Sequence, residues 1–189
     1  MANGRTKAVV AATFCAVARW SSVATAEPVT VATVVAHVRD YQQVPAGELA
    51  AAQQVASHVY EKIGVRLAWT GRSRVDDSAG SLHVDVVILD SAMTTRNNPE
   101  PKAFGDASHA TRRAYIYYRR ILDYARQTQS DPVRALALVF AHELGHVLLP
   151  EYSHSPSGLM RGSWEGRLVY VPPFSATQAE AIRATLATQ

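Results

Sequence analysis

One helix in the last third of the chain limits what this sequence can fold into more than any other feature. Asp131 and Pro132 supply an N-cap and a proline at the first helical position, and nothing breaks the helical pattern before Pro150. Inside it, the letters HELGH place His142 and His146 four residues apart. Residues four apart project from one face of a helix, one turn from each other, as two ligands of one metal ion must. The helix therefore predicts part of a metal site.

Glu143 follows the first of these histidines directly and lies about 100° around the helix from it. A carboxylate there reaches a metal-bound water without entering the ligand shell of the metal. It can take a proton as the water attacks a carbonyl and hand that proton to the leaving amine. The predicted role of Glu143 is general base and then general acid. The alternative is a chance match in an apolar helix, and a third metal ligand would argue against it.

A zinc site made by the protein needs a third ligand, and the sequence offers two candidates. His154 lies eight residues after His146, and Glu165 lies nineteen residues after it. Pro150 ends the helix within one turn of His146, so the chain must turn there. A turn is what returns a nearby side chain to the metal, which favours His154. Glu165 stays the alternative third ligand. In that arrangement a second helix would supply a glutamate to the zinc.

The pattern HELGH…H…SGLM resembles that of the metzincins, zinc metalloproteases with an extended HExxH motif, and in particular their matrix metalloproteinase-like branch. The resemblance implies that His154 is the third zinc ligand and that Met160 belongs to a methionine turn beneath the metal. Upstream, LHVDVVILD, KAFGDA and RAYIYY follow the metzincin order of strand, substrate-lining edge strand and strand. The sequence departs from the family pattern at two positions. Leu149 stands where the family has a glycine, and Tyr152 stands where it has the third histidine, so that His154 comes two residues later than the pattern expects.

The remaining segments predict an α+β or α/β fold, and the resemblance to the metzincins implies the α+β fold of the zincin type. Strands are predicted at residues 29–41, 65–70, 82–90 and 113–118, with a short one at 102–107. Helices are predicted at residues 45–64 and at 175–187, where Ser175 and Gln178 form a capping box. We therefore expect a mixed sheet of about five strands with an N-terminal helix, an active-site helix and a C-terminal helix. Residues 27–189 are expected to form a single catalytic domain.

The first 26 residues predict a secretory signal peptide. Arg5 and Lys7 precede an apolar run at residues 8–18 that is too short to span a bilayer, and the letters ATA at 24–26 form a small-x-small cleavage site. Cleavage after Ala26 would deliver the protein to the periplasm or outside the cell. No integral membrane segment is expected after that cleavage.

Removal of this leader changes the charge balance. The full chain has 19 Lys and Arg against 16 Asp and Glu, and the leader holds three of the basic residues and no acidic one, which leaves 16 against 16. A neutral chain gives no support for a nucleic acid or an anionic membrane as partner. The only cysteine, Cys15, leaves with the leader, so a metal site must use histidine and carboxylate ligands.

These features predict a secreted zinc-dependent endopeptidase that hydrolyses peptide or protein substrates. An extended peptide is expected to lie antiparallel along the edge strand near residues 102–106. Two alternatives stay open: a binding or structural protein on a zincin scaffold, and a non-peptide amide hydrolase. The sequence does not select the group that stabilises the transition state, nor the oligomeric state. The candidates for stabilising the transition state are Tyr117, Tyr118, Tyr152 and Arg161.

The other four histidines are predicted to be structural or surface residues and not metal ligands. They are His37, His58, His83 and His109.

Overall fold

A computed structural model of the chain describes Met1 and residues 32–71, 80–150 and 153–188. The predicted leader, apart from Met1, and the candidate Tyr152 lie outside the described residues. The elements in chain order are β1 (Ala32–Asp40), α1 (Ala46–Glu61), β2 (Val65–Thr70), β3 (Ser81–Ile88), α2 (Ser91–Asn97), β4 (Gly105–Ser108), β5 (Arg113–Ile116), α3 (Tyr118–Thr128), α4 (Pro132–Leu148) and α5 (Ala176–Ala187). No helix in these ranges has the length and apolar character needed to cross a membrane.

The five strands form one mixed sheet in the order β2-β1-β3-β5-β4. Neighbouring strands are parallel except β4, which runs antiparallel to β5 at one edge. In that pair Gly105 lies opposite Ile116, and Ala107 lies opposite Ala114. The predicted α+β fold is confirmed, with its five-stranded sheet, its N-terminal helix, the helix that carries the HELGH motif and its C-terminal helix.

One face of the sheet packs against the helices and forms the main core. Every second residue of a strand points to this face, as the pleat requires. The buried residues that β1 and β3 contribute are Val34, Ala36, Val38, Leu82, Val84, Val86 and Ile88. Across the helical layer, the Tyr60 hydroxyl of α1 donates a hydrogen bond of 3.0 Å to the carbonyl oxygen of Ala141 in α4. Helix α4, which carries the HELGH motif, is thereby fixed between the sheet and α1.

Two helices, α2 and α3, were not predicted. The Asp90 side chain caps α2 by accepting a hydrogen bond of 2.7 Å from the Met93 N–H. Seven residues rich in threonine give too short a pattern to stand out from a loop. In α3, Ile121 and Ala125 are buried at a spacing of four residues, and this periodicity was a usable signal for a helix before the motif.

Candidate metal centre

Helix α4 carries the HELGH motif and is buried along most of its length. The Asp131 carboxylate accepts a hydrogen bond of 2.9 Å from the Val133 N–H, so the predicted cap forms. At the other end Leu149 has an extended backbone, as expected for a residue before a proline. The helix therefore begins and ends where the sequence predicts, with both motif histidines in its last two turns.

Three histidine side chains converge at the C-terminal end of α4. The Nε2 atom of His146 lies 3.0 Å from Nε2 of His142 and 3.0 Å from Nε2 of His154. One nitrogen from each ring falls within 4.8 Å of the other two. Zinc bound tetrahedrally at 2.0–2.1 Å from each nitrogen would separate its ligand atoms by about 3.3 Å. The spacing of the three nitrogens fits such an ion.

The second ring nitrogens of the two α4 histidines are held by hydrogen bonds. Nδ1 of His142 donates to the carbonyl oxygen of Leu159 at 2.9 Å, so its Nε2 carries the lone pair that faces the other histidines. Nδ1 of His146 lies 2.9 Å from the Ser153 hydroxyl. Partners of this kind orient metal-binding imidazoles in proteins. The donor set and its supporting contacts therefore suit a divalent metal ion.

Burial keeps both α4 histidines neutral near pH 7. Desolvation is the main cause that lowers the pKa of His142 to about 4, although the hydrogen bond to Leu159 opposes it. Desolvation, followed by the nearby His142 and His154, lowers the pKa of His146 to about 3. Neutral imidazoles keep the lone pairs that a metal needs.

A turn after α4 returns the chain to the two helical histidines. The Ser155 N–H donates to the carbonyl oxygen of Met160 at 2.8 Å, and Gly158 takes a φ of 78° inside this turn. A left-handed conformation of that kind favours glycine. His154 stands directly before the turn and packs beside Gly162, where a Cβ would lie 3.3 Å from Nδ1 of His154. His154 thus lies with the two helical histidines despite its late position in the sequence.

Met160 is fully buried at the end of this turn. Its sulfur lies beside Gly145, the residue that precedes His146 in α4, and the Phe174 ring packs on the same side. The structure therefore places Met160 against the helix that carries two of the histidines. The assignment of Met160 to a methionine turn stays a prediction.

Glu143 lines the cleft beside the histidines and is 6% exposed. Among the described residues no side-chain hydrogen bond to its carboxylate is found. Desolvation, with a smaller contribution from the charge of Asp106, raises the pKa of Glu143 to about 8. A cation at the three histidines would favour the ionised carboxylate and oppose this shift.

The cleft next to the histidines has a volume of about 680 Å³. Its walls are β4 with the segment before it, helices α3 and α4, and residues 162–165. Aromatic rings form part of these walls: Phe104 packs on Tyr124 at 5.1 Å, and Trp164 lies edge-on to His142 at 6.3 Å between ring centres. Glu165 lines the cleft but does not belong to the convergent group. The structure thus brings His154, and not Glu165, to the two helical histidines.

The other candidates lie elsewhere. The Tyr117 hydroxyl accepts a hydrogen bond of 2.6 Å from Asn97, and the Tyr118 hydroxyl donates one of 3.0 Å to Glu48. Neither tyrosine lines the cleft, nor does Arg161. The four histidines predicted to be structural also have other partners: His37 contacts His83 and Thr70, His58 contacts Glu61, and His109 contacts the Val147 carbonyl.

Sequence reasoning missed several residues of this site. Ser153, Tyr124 and Trp164 reach it from loops or from α3, and only the three-dimensional arrangement identifies them. Gly105 left a signal, since a glycine inside a strand often marks the close approach of another group.

No family model and no curated protein matches this sequence. Among solved structures, archaemetzincin from Methanopyrus kandleri is 17% identical, with a TM-score of 0.53, and the match covers 83% of this chain and 97% of that one. The chain has an archaemetzincin-like fold. A zinc-dependent peptidase from Methanocorpusculum labreanum is 15% identical, with a TM-score of 0.43, over 81% of this chain and 99% of that one. The archaemetzincin match supports a metzincin-like fold and gives no support for the matrix metalloproteinase branch.

Proposed function

We propose that this chain is a zinc-dependent metallopeptidase that hydrolyses internal peptide bonds. The observation that carries the proposal is the convergence of His142, His146 and His154 beside Glu143 at the base of an open cleft. Three histidine ligands with space on one side are the arrangement of catalytic zinc sites, whereas structural zinc sites are closed by a fourth protein ligand. The archaemetzincin-like fold agrees with this chemistry.

Zinc at these histidines would polarise a substrate carbonyl and lower the pKa of a bound water toward about 7. Glu143 accepts a proton from the attacking water and then returns it to the leaving amine. Its place on α4, one residue after His142, puts the carboxylate at the cleft and outside the convergent group. Leu159 and Ser153 hold the imidazoles of His142 and His146 in orientation through their hydrogen bonds.

The substrate is proposed to be an extended peptide that lies along β4. This strand is at the edge of the sheet, and β5 is its partner among the described strands. Its other side can pair with a peptide backbone by β-strand addition, and a peptide running antiparallel to β4 would cross the cleft beside Glu143. Main-chain pairing of this kind favours peptides over small amides.

Two variants test the chemistry. Glu143→Gln keeps the shape of the side chain and removes the basic carboxylate, so zinc content should stay near that of wild type while peptide hydrolysis falls by ~10²-fold or more. His142→Ala should lose zinc and activity together, because two ligands do not hold zinc tightly. The measurements are metal analysis of the purified protein and a broad peptide-cleavage screen.

The activity of the wild-type protein and its change in Glu143→Gln decide between the peptidase and the two alternative functions. A wild-type protein that holds zinc tightly but cleaves no peptide would favour the binding or structural protein. Cleavage of small amides without cleavage of peptides would favour the amide hydrolase. A wild-type peptidase activity that survives Glu143→Gln unchanged would show that Glu143 is not the base.

Export is part of the proposal. The basic residues, apolar run and ATA site in residues 1–26 support a cleaved signal peptide. N-terminal sequencing of the exported protein should give Glu-Pro-Val-Thr, starting at Glu27. Recovery of the intact N-terminus from the cytosol would overturn this part without affecting the proposed chemistry.

A further inference from the structure

Gly105 and Glu143 lie in direct contact where β4 crosses α4. Gly105 is the first residue of β4, and its position opposite Ile116 turns it toward the face of the sheet that packs on the helices. A Cβ at Gly105 would lie 2.5 Å from both Cγ and Oε1 of Glu143 and 2.6 Å from Cδ. Contacts shorter than 3.0 Å do not occur at a real Cβ. Any side chain at residue 105 would therefore compete with Glu143 for the same space.

The backbone of Gly105 does not itself require glycine. Its φ lies outside the left-handed range, unlike that of Gly158 in the turn after α4. An alanine could take this backbone conformation, so the demand for glycine comes from the contact with Glu143. The contact also begins at Cγ, near the root of the side chain, so a rotation of the carboxylate alone does not relieve it.

We propose that Gly105 is a positioning residue for Glu143. The missing side chain leaves the space in which Glu143 must lie to reach the cleft from beneath the edge strand. The backbone of β4 then limits the carboxylate from one side while α4 holds it from the other. The catalytic consequence rests on the proposed function of Glu143, whereas the steric relationship does not.

A double-mutant cycle on the metal-free protein tests the steric relationship. Gly105→Ala is made with Glu143, with Glu143→Gln and with Glu143→Ala, and melting temperatures are compared. Overpacking should lower the melting temperature by roughly 2–12 °C in the Glu143 and Gln backgrounds, because both side chains have the same shape. In the Ala background the loss should largely disappear. Gly47→Ala is the matched control, since nothing lies within 4 Å of that Cβ.

The outcomes are distinct. An equal loss in all three backgrounds would overturn the proposal, as would no loss with Glu143 present. If Gly105→Ala alone fails to fold, the proposal requires the variant that also carries Glu143→Ala to fold, and failure of both would overturn it.

The catalytic consequence is measured separately on the zinc-loaded protein. Gly105→Ala should lower kcat and kcat/KM together by roughly 10²-fold at unchanged zinc content, as expected when a reacting group is displaced by about 1 Å. A rise in KM alone would show that Gly105 serves peptide binding and would overturn the positioning role. If the wild-type protein cleaves nothing, the proposed function fails while the melting-temperature cycle still decides the contact between Gly105 and Glu143.

Discussion

The sulfur of Met160 fills the space where a side chain at Gly145 would begin. A Cβ at Gly145 would lie 2.5 Å from Sδ of Met160 and 3.2 Å from its Cε. Gly145 belongs to α4 between Glu143 and His146, so the absence of a side chain lets the turn that follows His154 pack closely against the motif helix. The HELGH sequence therefore carries a packing requirement in addition to its chemistry.

Gly145→Ala tests this packing through the sign of its effect. In an open helical position the change would stabilise the protein by about 1 kcal/mol. Against Met160 it should instead destabilise the protein by about 1–3 kcal/mol, because the buried sulfur must move. Denaturant unfolding provides the measurement, with Gly47→Ala as the control in α1. A stabilised Gly145→Ala variant would contradict the contact.

The third ligand is tested by comparing two substitutions. His154→Ala should lower zinc affinity by several orders of magnitude, because it removes one of three converging nitrogens. Glu165→Gln should leave zinc affinity near that of wild type, since Glu165 lines the cleft outside the convergent group. Competition titration against a chelator of known affinity measures both. The reverse ranking would assign the ligand to Glu165.

Ser153 is expected to support zinc binding through His146. Ser153→Ala removes the hydroxyl that lies 2.9 Å from Nδ1 of His146, and loss of such a partner typically costs 10–100-fold in metal affinity. Ser163→Ala is the matched control, because Ser163 lines the same cleft. The same chelator titration should show a change for Ser153 only. Equal affinities for both variants would remove Ser153 from the site.

The metal-free protein should lose stability as the pH falls. The folded pKa values of His142 and His146, about 4 and about 3, lie below the ordinary value of 6.5. Protonation therefore favours the unfolded chain, and their contribution is fully present above pH 6.5 and declines as the pH falls toward 3. The pKa of Glu143 is raised, so its contribution to the free energy of unfolding has the opposite pH dependence. That contribution is fully present below pH 4.5 and is lost as the pH rises to about 8.

The comparison that isolates a histidine is wild type against His146→Asn, with metal removed from both. Glu143 is present in each, so its contribution cancels. The urea midpoint of unfolding is measured at pH 7.5 and at pH 5 for both proteins. Its decrease between the two pH values should be smaller in the variant than in wild type. Equal falls would show that His146 is not held neutral by the fold.

The sequence by itself determined those features that depend on local geometry. A helix of defined handedness puts His142 and His146 on one face whatever surrounds it, and Asp131 with Pro132 marks its start. Alternating and helical patterns likewise identified the strands and the three helices named in advance. One missed helix, α2, is short, and the other, α3, follows directly on a predicted strand, although the spacing of Ile121 and Ala125 in α3 was a usable helical signal.

Only the tertiary structure decided which distant residues meet at the cleft. His154 and Glu165 were both admissible ligands, and the choice depends on hydrogen bonds that close the turn before Met160. Tyr117 was a candidate until its position at the start of α3 directed its hydroxyl to Asn97. The contact of Gly105 with Glu143 joins an edge strand to a helix, and its distance follows from how the sheet packs. Such relationships depend on the packing of whole elements, which no local pattern of residues encodes.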